Sequence, residues 1–225
     1  MSRWNTANHD EDKAGLPHRR FSSEAGFTLL EATIVLAVML ISAAFGFLTL
    51  KPMMQSSKVA TAYNATLGTI RRAHDEAAAE RRVYVVTFDN TVTPNTITIS
   101  QNDTLAAGGI LQTTTTLPTD ITFSTQTGIP TTTNGACPTP DGFGTGNKAI
   151  DFDQGVGSGG ATSIYFYPDG SAHDKALNGY VNSGVVYMGR QSDLYSMRAI
   201  TVWGTTGRIR GWRLYNGSGN CWRQQ

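Results

Sequence analysis

Charge is scarce in this chain: only 16% of its 225 residues are Asp, Glu, Lys or Arg, and the formal net charge is +1. A balance so near neutrality predicts neither bulk affinity for nucleic acid nor an acidic partner, although local asymmetry can hide within it. Histidine is also scarce. His9, His18, His74 and His173 are the four present, and no Cys/His cluster at metal-binding spacing occurs. Neither a G-x-S-x-G nor an H-E-x-x-H string is found. These absences point away from hydrolase and zinc-site chemistry, so the expectation is a non-catalytic protein with no cofactor and no metal site. Low charge, 24 glycines and abundant Thr are also unlike a helical bundle. They predict strands and loops over the second half, in one domain with appendages.

Cysteine is limited to Cys137 and Cys221. Both lie downstream of a long apolar run, so if that run crosses a membrane both sit where a disulfide is permitted. Closing such a loop would stabilise by about 4–5 kcal/mol in the chain-entropy model. The alternative is two unrelated thiols.

What the chain does have is the segment FTLLEATIVLAVMLISAAFGFLTL, 24 residues from Phe27 to Leu50 with Glu31 as its one charge, ending at Lys51 and Pro52. It is long enough to span a bilayer as a helix, and too long for the apolar core of a secretory signal peptide. His18, Arg19 and Arg20 precede it, which by the positive-inside rule keeps the N-terminus in the cytoplasm and puts the rest outside. Glu31 is the informative residue. An acid inside an apolar helix costs about 2.5–3.5 kcal/mol near the membrane centre and needs a partner, unless it stays wet near the interface.

The string Gly26-Phe27-Thr28-Leu29-Leu30-Glu31 resembles the processing motif of type IV prepilins, with Gly before the cut, Phe first in the mature chain and Glu fifth. The resemblance implies that a prepilin peptidase cleaves between Gly26 and Phe27 and methylates the new terminus at Phe27. It also implies that Glu31 pairs with the amino terminus of a neighbouring subunit during assembly. A free amine nearby would offset a carboxylate in low dielectric.

Beyond Pro52, the residues Val59, Tyr63, Leu67, Ile70, Ala73 and Ala77 recur at three- and four-residue steps, so a helix with one apolar face is expected as far as Arg82. Arg71 and Arg72 each have an acid four residues on, in Asp75 and Glu76. Val83 to Phe88 reads as a first strand and Thr96 to Ser100 as its hairpin partner, with Asp89, Asn90, Pro94 and Asn95 in the turn. Most of Thr113 to Gly160 reads as Thr/Gly-rich loop, apart from a short strand near Ile121 to Phe123. Strands return at Ser163 to Tyr167, then come a Pro168-Asp169-Gly170 turn and strands near 184–188, 199–203 and 208–215.

Two strings in the loop region carry little. Gly155, Gly157 and Gly160 fit G-x-G-x-x-G, but a strand follows instead of a helix, so no helix N-terminus is available for a pyrophosphate. Asp151 and Asp153 could coordinate calcium, but an acidic loop is the expected reading.

The downstream order of an aromatic strand, a PDG turn, a Val-rich strand and RAITVWGTTGRIRGW, together with RRAHDEAAAERR on the helix, resembles the GspH/FimT group of minor pseudopilins and minor pilins. The fold this implies is α+β and pilin-like. It comprises a leader at 1–26, a transmembrane assembly helix at 27–51, an amphipathic periplasmic helix at 52–82 lying on a sheet, and a β-rich domain at 83–225 with loops at 113–160. The function implied is that of a non-catalytic minor pseudopilin in the bacterial inner membrane, initiating or capping a short filament for type II secretion. Its implied partners are the prepilin peptidase, other pilin or pseudopilin subunits, an inner-membrane assembly platform and membrane lipid.

The C-terminal end suggests an alternative. Arg190, Arg198, Arg208, Arg210, Arg213 and Arg223 face one acid, Asp193, and alternate with Trp203, Trp212, Tyr215 and Trp222. Guanidinium groups bind phosphate and aromatic rings stack on bases, so the composition suits DNA. Within the resembling group a Gly-Arg-x-Arg stretch serves DNA uptake, and Gly207-Arg208-Ile209-Arg210 matches it. That makes Arg208, Arg210, Arg213 and Arg223 the candidate DNA contacts, with Arg208 and Arg210 on one strand face. The other reading is a tryptophan core with solvated or paired arginines.

Overall fold

The structure is a computed structural model that describes residues 26–102, 110–132, 135–144, 147–154, 161–217 and 219–225, with backbone only at 48–52. The leader expected before Gly26 and the Gly155–Gly160 string lie outside the described residues. By contact density the chain forms two units, Met1–Leu48 and Thr49–Gln225.

One helix, α1 (Leu29–Glu80), enters both units and includes Pro52. In the first unit its described side chains are all exposed, among them Leu36, Met39 and Phe45. In the second unit Val59, Ala62, Tyr63, Ile70, Ala73 and Ala77 are buried, and they belong to one core cluster with Val86, Ile97, Ile164 and Ile200 from the strands. Their spacing is the three- and four-residue step of a single helical face. The helix stops at Glu80, two residues short of the expected Arg82. Arg81 takes a left-handed backbone (φ 56°) and the Arg82 N–H donates back to the Ala77 carbonyl, which ends the ladder of hydrogen bonds.

Among the described residues eleven strands follow: β1 (Tyr84–Asp89), β2 (Thr96–Gln101), β3 (Ile110–Thr116), β4 (Ile121–Phe123), β5 (Ile150–Gln154), β6 (Ser163–Phe166), β7 (Ala172–His173), β8 (Ser183–Arg190), β9 (Arg198–Trp203), β10 (Arg208–Asn216) and β11 (Asn220–Gln224). They form two antiparallel sheets. The first has the order β3-β2-β1-β6-β7, and the second β11-β10-β9-β8-β4, with β5 also pairing β8. The fold is therefore α+β. In β2 the alternation T-I-T-I puts Ile97 and Ile99 fully inside. In β8 six consecutive residues, Gly184 to Gly189, are buried, because both faces of that strand are covered.

The segment 113–160 is more ordered than its composition suggests, since β3, β4 and β5 all fall at least partly within it. β3 is an edge strand of four threonines after Ile110-Leu111-Gln112 and is largely exposed, so it lacks the apolar alternation by which strands are recognised. β5 (IDFDQ) does alternate, but its polar positions are aspartates, which are depleted in strands.

Candidate functional site: the N-terminal motif and the arginine-bearing sheet

Gly26 and Phe27 precede α1 and are exposed, Phe27 at 77%. Thr28 caps the helix: its Oγ1 accepts the Glu31 N–H at 3.2 Å. Thr28-x-x-Glu31 has the spacing of a capping box, and an acid in the first turn complements the helix dipole. Glu31 is exposed. Residues Leu29–Phe47 are long and apolar enough to cross a membrane, and none of that window is buried. Nineteen residues of helix measure about 28 Å, close to the hydrocarbon thickness of a bilayer. An exposed apolar surface of that extent needs a lipid or protein cover.

The arginines of the C-terminal end lie on two faces of the second sheet. Strand period is two, so Arg208 and Arg210 share a face and Arg213, three residues on, takes the other. On the first face Arg208 sits over Trp203, its guanidinium carbon 5.6 Å from the ring centroid. Arg210 Nη1 donates to Asp141 Oδ1 at 2.6 Å. The same carboxylate accepts from Thr201 Oγ1 at 2.5 Å, and Thr201 accepts from Trp212 Nε1 at 3.1 Å. Asp141 is 4% exposed at its side chain, so Arg210 is occupied by a buried acid. Arg208 alone of this pair presents its charge to solvent.

On the opposite face, Arg198, Arg213 and Arg223 stand directly opposite one another across β9, β10 and β11. Both Arg213 and Arg223 lie over Tyr215, at 5.0 and 5.4 Å. Arg198 is buried, and its Nη1 donates to the carbonyls of Ser196 and Met197, each at 3.1 Å. Burial, with the Arg213 charge beside it, holds the Arg198 guanidinium down to about 10. The four arginines read as DNA contacts thus form two pairs, not one patch. Asp141 was not legible as a partner, being 69 residues from Arg210.

Cys137 and Cys221 are joined as a disulfide, with Cα atoms 4.9 Å apart across 84 residues of sequence. It ties the segment before Pro140 to the edge strand β11. Trp222, beside Cys221, is buried with Tyr187 and Leu214 in a second, smaller core cluster. Among the described residues no group of three His, Cys, Asp or Glu side chains could hold a metal ion. His74 stands edge-on to Phe166, with ring centroids 5.5 Å apart.

No family model matches the chain, and no curated protein or solved structure matches it significantly.

Proposed function

We propose that this protein is a membrane-anchored, non-catalytic subunit of the pilin type, a minor pseudopilin that initiates or caps a short filament for type II secretion. The observation that carries the reading is the motif Gly26-Phe27-Thr28-Leu29-Leu30-Glu31 at the start of a helix whose apolar window is wholly exposed. An exposed apolar helix bearing one acid suits a subunit that sits in lipid until neighbouring helices cover it. The finer pilin-like architecture belongs to this proposal, with the second half of α1 laid against a sheet. So do the periplasmic placement of the β domain and the roles of the prepilin peptidase, sister subunits and assembly platform.

Expressed with an active prepilin peptidase, the chain should start at N-methylated Phe27 by intact-mass and N-terminal analysis. An uncut N-terminus under those conditions would sink the reading. Glu31→Leu should insert in the membrane and fail to join filaments, whereas normal assembly would remove the role given to Glu31.

A second reading, a pilus minor pilin that captures DNA, draws on Arg208 over Trp203 and on Arg213 and Arg223 beside Tyr215. Arg210 contributes less to it, since Asp141 neutralises its charge. DNA binding that weakens with salt and is lost in Arg208→Ala/Arg223→Ala would favour this reading over the first.

A further inference from the structure

A cleft of about 270 Å³ opens between α1 and the second sheet, within the unit Thr49–Gln225. Gln55 and Ser56 line it from the helix, and Arg190, Arg198 and Arg213 from the sheet, with Asp193 as the acid on its wall. Asp193 Oδ2 is taken by Arg190 Nη2 at 2.9 Å. Three guanidinium groups against one carboxylate leave two positive charges in excess. Arg213 and Arg198 are direct cross-strand partners, and like charges in that relation repel. The Nε atoms of Arg190 and Arg213 are buried and have no hydrogen-bond partner. Those two atoms are shielded from the cleft as well as from water, so the excess positive charge is what a bound oxyanion relieves. The volume lies just below the range for drug-sized ligands, so it suits one small charged group.

The arginines are graded from inside to outside: Arg198 is buried, Arg213 half-buried and Arg223 exposed. The row therefore leads an anion from the surface to the cleft. Its place in the chain suggests where the anion comes from. Gln55 follows the apolar window, which ends at Phe47, by eight residues, at most about 28 Å even if that chain were fully extended. Arginines tethered within that reach of a membrane can meet the phosphates of its lipid headgroups.

We infer that the cleft of Arg190, Arg198 and Arg213 binds the phosphate of an anionic phospholipid headgroup. The inference rests on the membrane-anchored reading and adds a specific lipid contact to it. Arg213 and Arg190 supply guanidinium charge at the cleft wall, Arg190 while also donating to Asp193. Arg198, held by three carbonyl contacts at Tyr195, Ser196 and Met197, supplies fixed charge behind them.

The test uses the full chain in non-ionic detergent, its methylated Phe27 verified by mass, titrated with dihexanoyl phosphatidylglycerol while Tm is followed. Phosphatidylglycerol should raise Tm saturably and dihexanoyl phosphatidylcholine should not. Arg213→Gln should weaken the effect at least tenfold. Should that variant fold poorly, Ser56→Glu provides an independent check: it adds a carboxylate at an exposed helix position on the rim, leaves the sheet untouched, and should abolish the shift. No saturable shift, or an equal shift with phosphatidylcholine, overturns the inference, as does a shift unchanged in both variants. Inorganic phosphate acting at the same concentration would assign the site to free phosphate instead. Tighter binding of oligoglutamate or of a single-stranded oligonucleotide would assign it to an acidic protein segment or a nucleic acid. Failure of the lipid test with methylated Phe27 present counts against the lipid site alone, whereas an uncut N-terminus counts against the proposed function alone.

Discussion

Arg210 and Asp141 meet at 2.6 Å across 69 residues of sequence, and the carboxylate they share with Thr201 is almost wholly buried. Asp141 itself sits with a left-handed backbone (φ 53°) in a short turn at Pro140–Gly142, a conformation Asp tolerates better than most residues. Removing the arginine leaves a buried carboxylate held only by a hydroxyl. Arg210→Ala should therefore cost about 1.5–3 kcal/mol, the range for hydrogen bonds to charged groups. Arg208→Ala, two residues away and exposed, should stay within about 0.5 kcal/mol. Urea unfolding of the detergent-solubilised chain compares the two, and equal costs would contradict the pairing.

Gly211 and Tyr63 define how closely α1 approaches β10. A Cβ at Gly211 would coincide with the Tyr63 hydroxyl. Gly211→Ala should destabilise by about 1–3 kcal/mol through overpacking. Adding Tyr63→Phe removes the clashing oxygen and should recover part of the loss, which a double-mutant cycle measures as a favourable coupling. No coupling would mean the two do not touch.

The disulfide between Cys137 and Cys221 closes 84 residues. Its loss should cost about 4–5 kcal/mol in the chain-entropy model. Cys137→Ser and Cys221→Ser should lower Tm alike, and a reductant should bring the unaltered protein down to their level while leaving the variants unmoved.

Asp151 lies in β5 opposite Val185, and burial pushes its carboxyl above the usual value, with Asp153 adding to the rise and Lys148 opposing it. A raised folded value means the folded chain holds more protons than the unfolded chain just above pH 3.8. Stability from this group therefore falls as pH rises through that window and stays lower at neutral pH. Asp151→Asn should melt higher than the unaltered protein at pH 7 and close to it at pH 3. A variant that is less stable at pH 7 would show that the carboxylate is needed there.

Much of the fold was legible because burial imposes a period on the sequence. Val59, Tyr63, Ile70, Ala73 and Ala77 marked the buried helical face, and the Val-, Ile- and aromatic-rich runs marked β1, β2, β6, β8, β9 and β10. β3 escaped notice because an exposed edge strand has no apolar alternation to read. β7 and β11 are short or flanked by polar residues. At the candidate sites, Gly26, Phe27 and Glu31 fall within six consecutive residues and were visible as a motif. The arginines were visible as a composition, and strand period put Arg208 and Arg210 on one face, but the row across β9, β10 and β11 was not legible.

The sequence by itself determined the elements whose cause is local: the apolar span over Leu29–Phe47, the Thr28 cap of its helix, and the alternation that makes each core strand. Tertiary structure alone decided which charges meet. Strand register set Arg198, Arg213 and Arg223 in one row. Chain closure brought Asp141 to Arg210 and Cys137 to Cys221. Periodicity reports burial within an element, whereas a contact between elements depends on pairing and register that no single segment encodes.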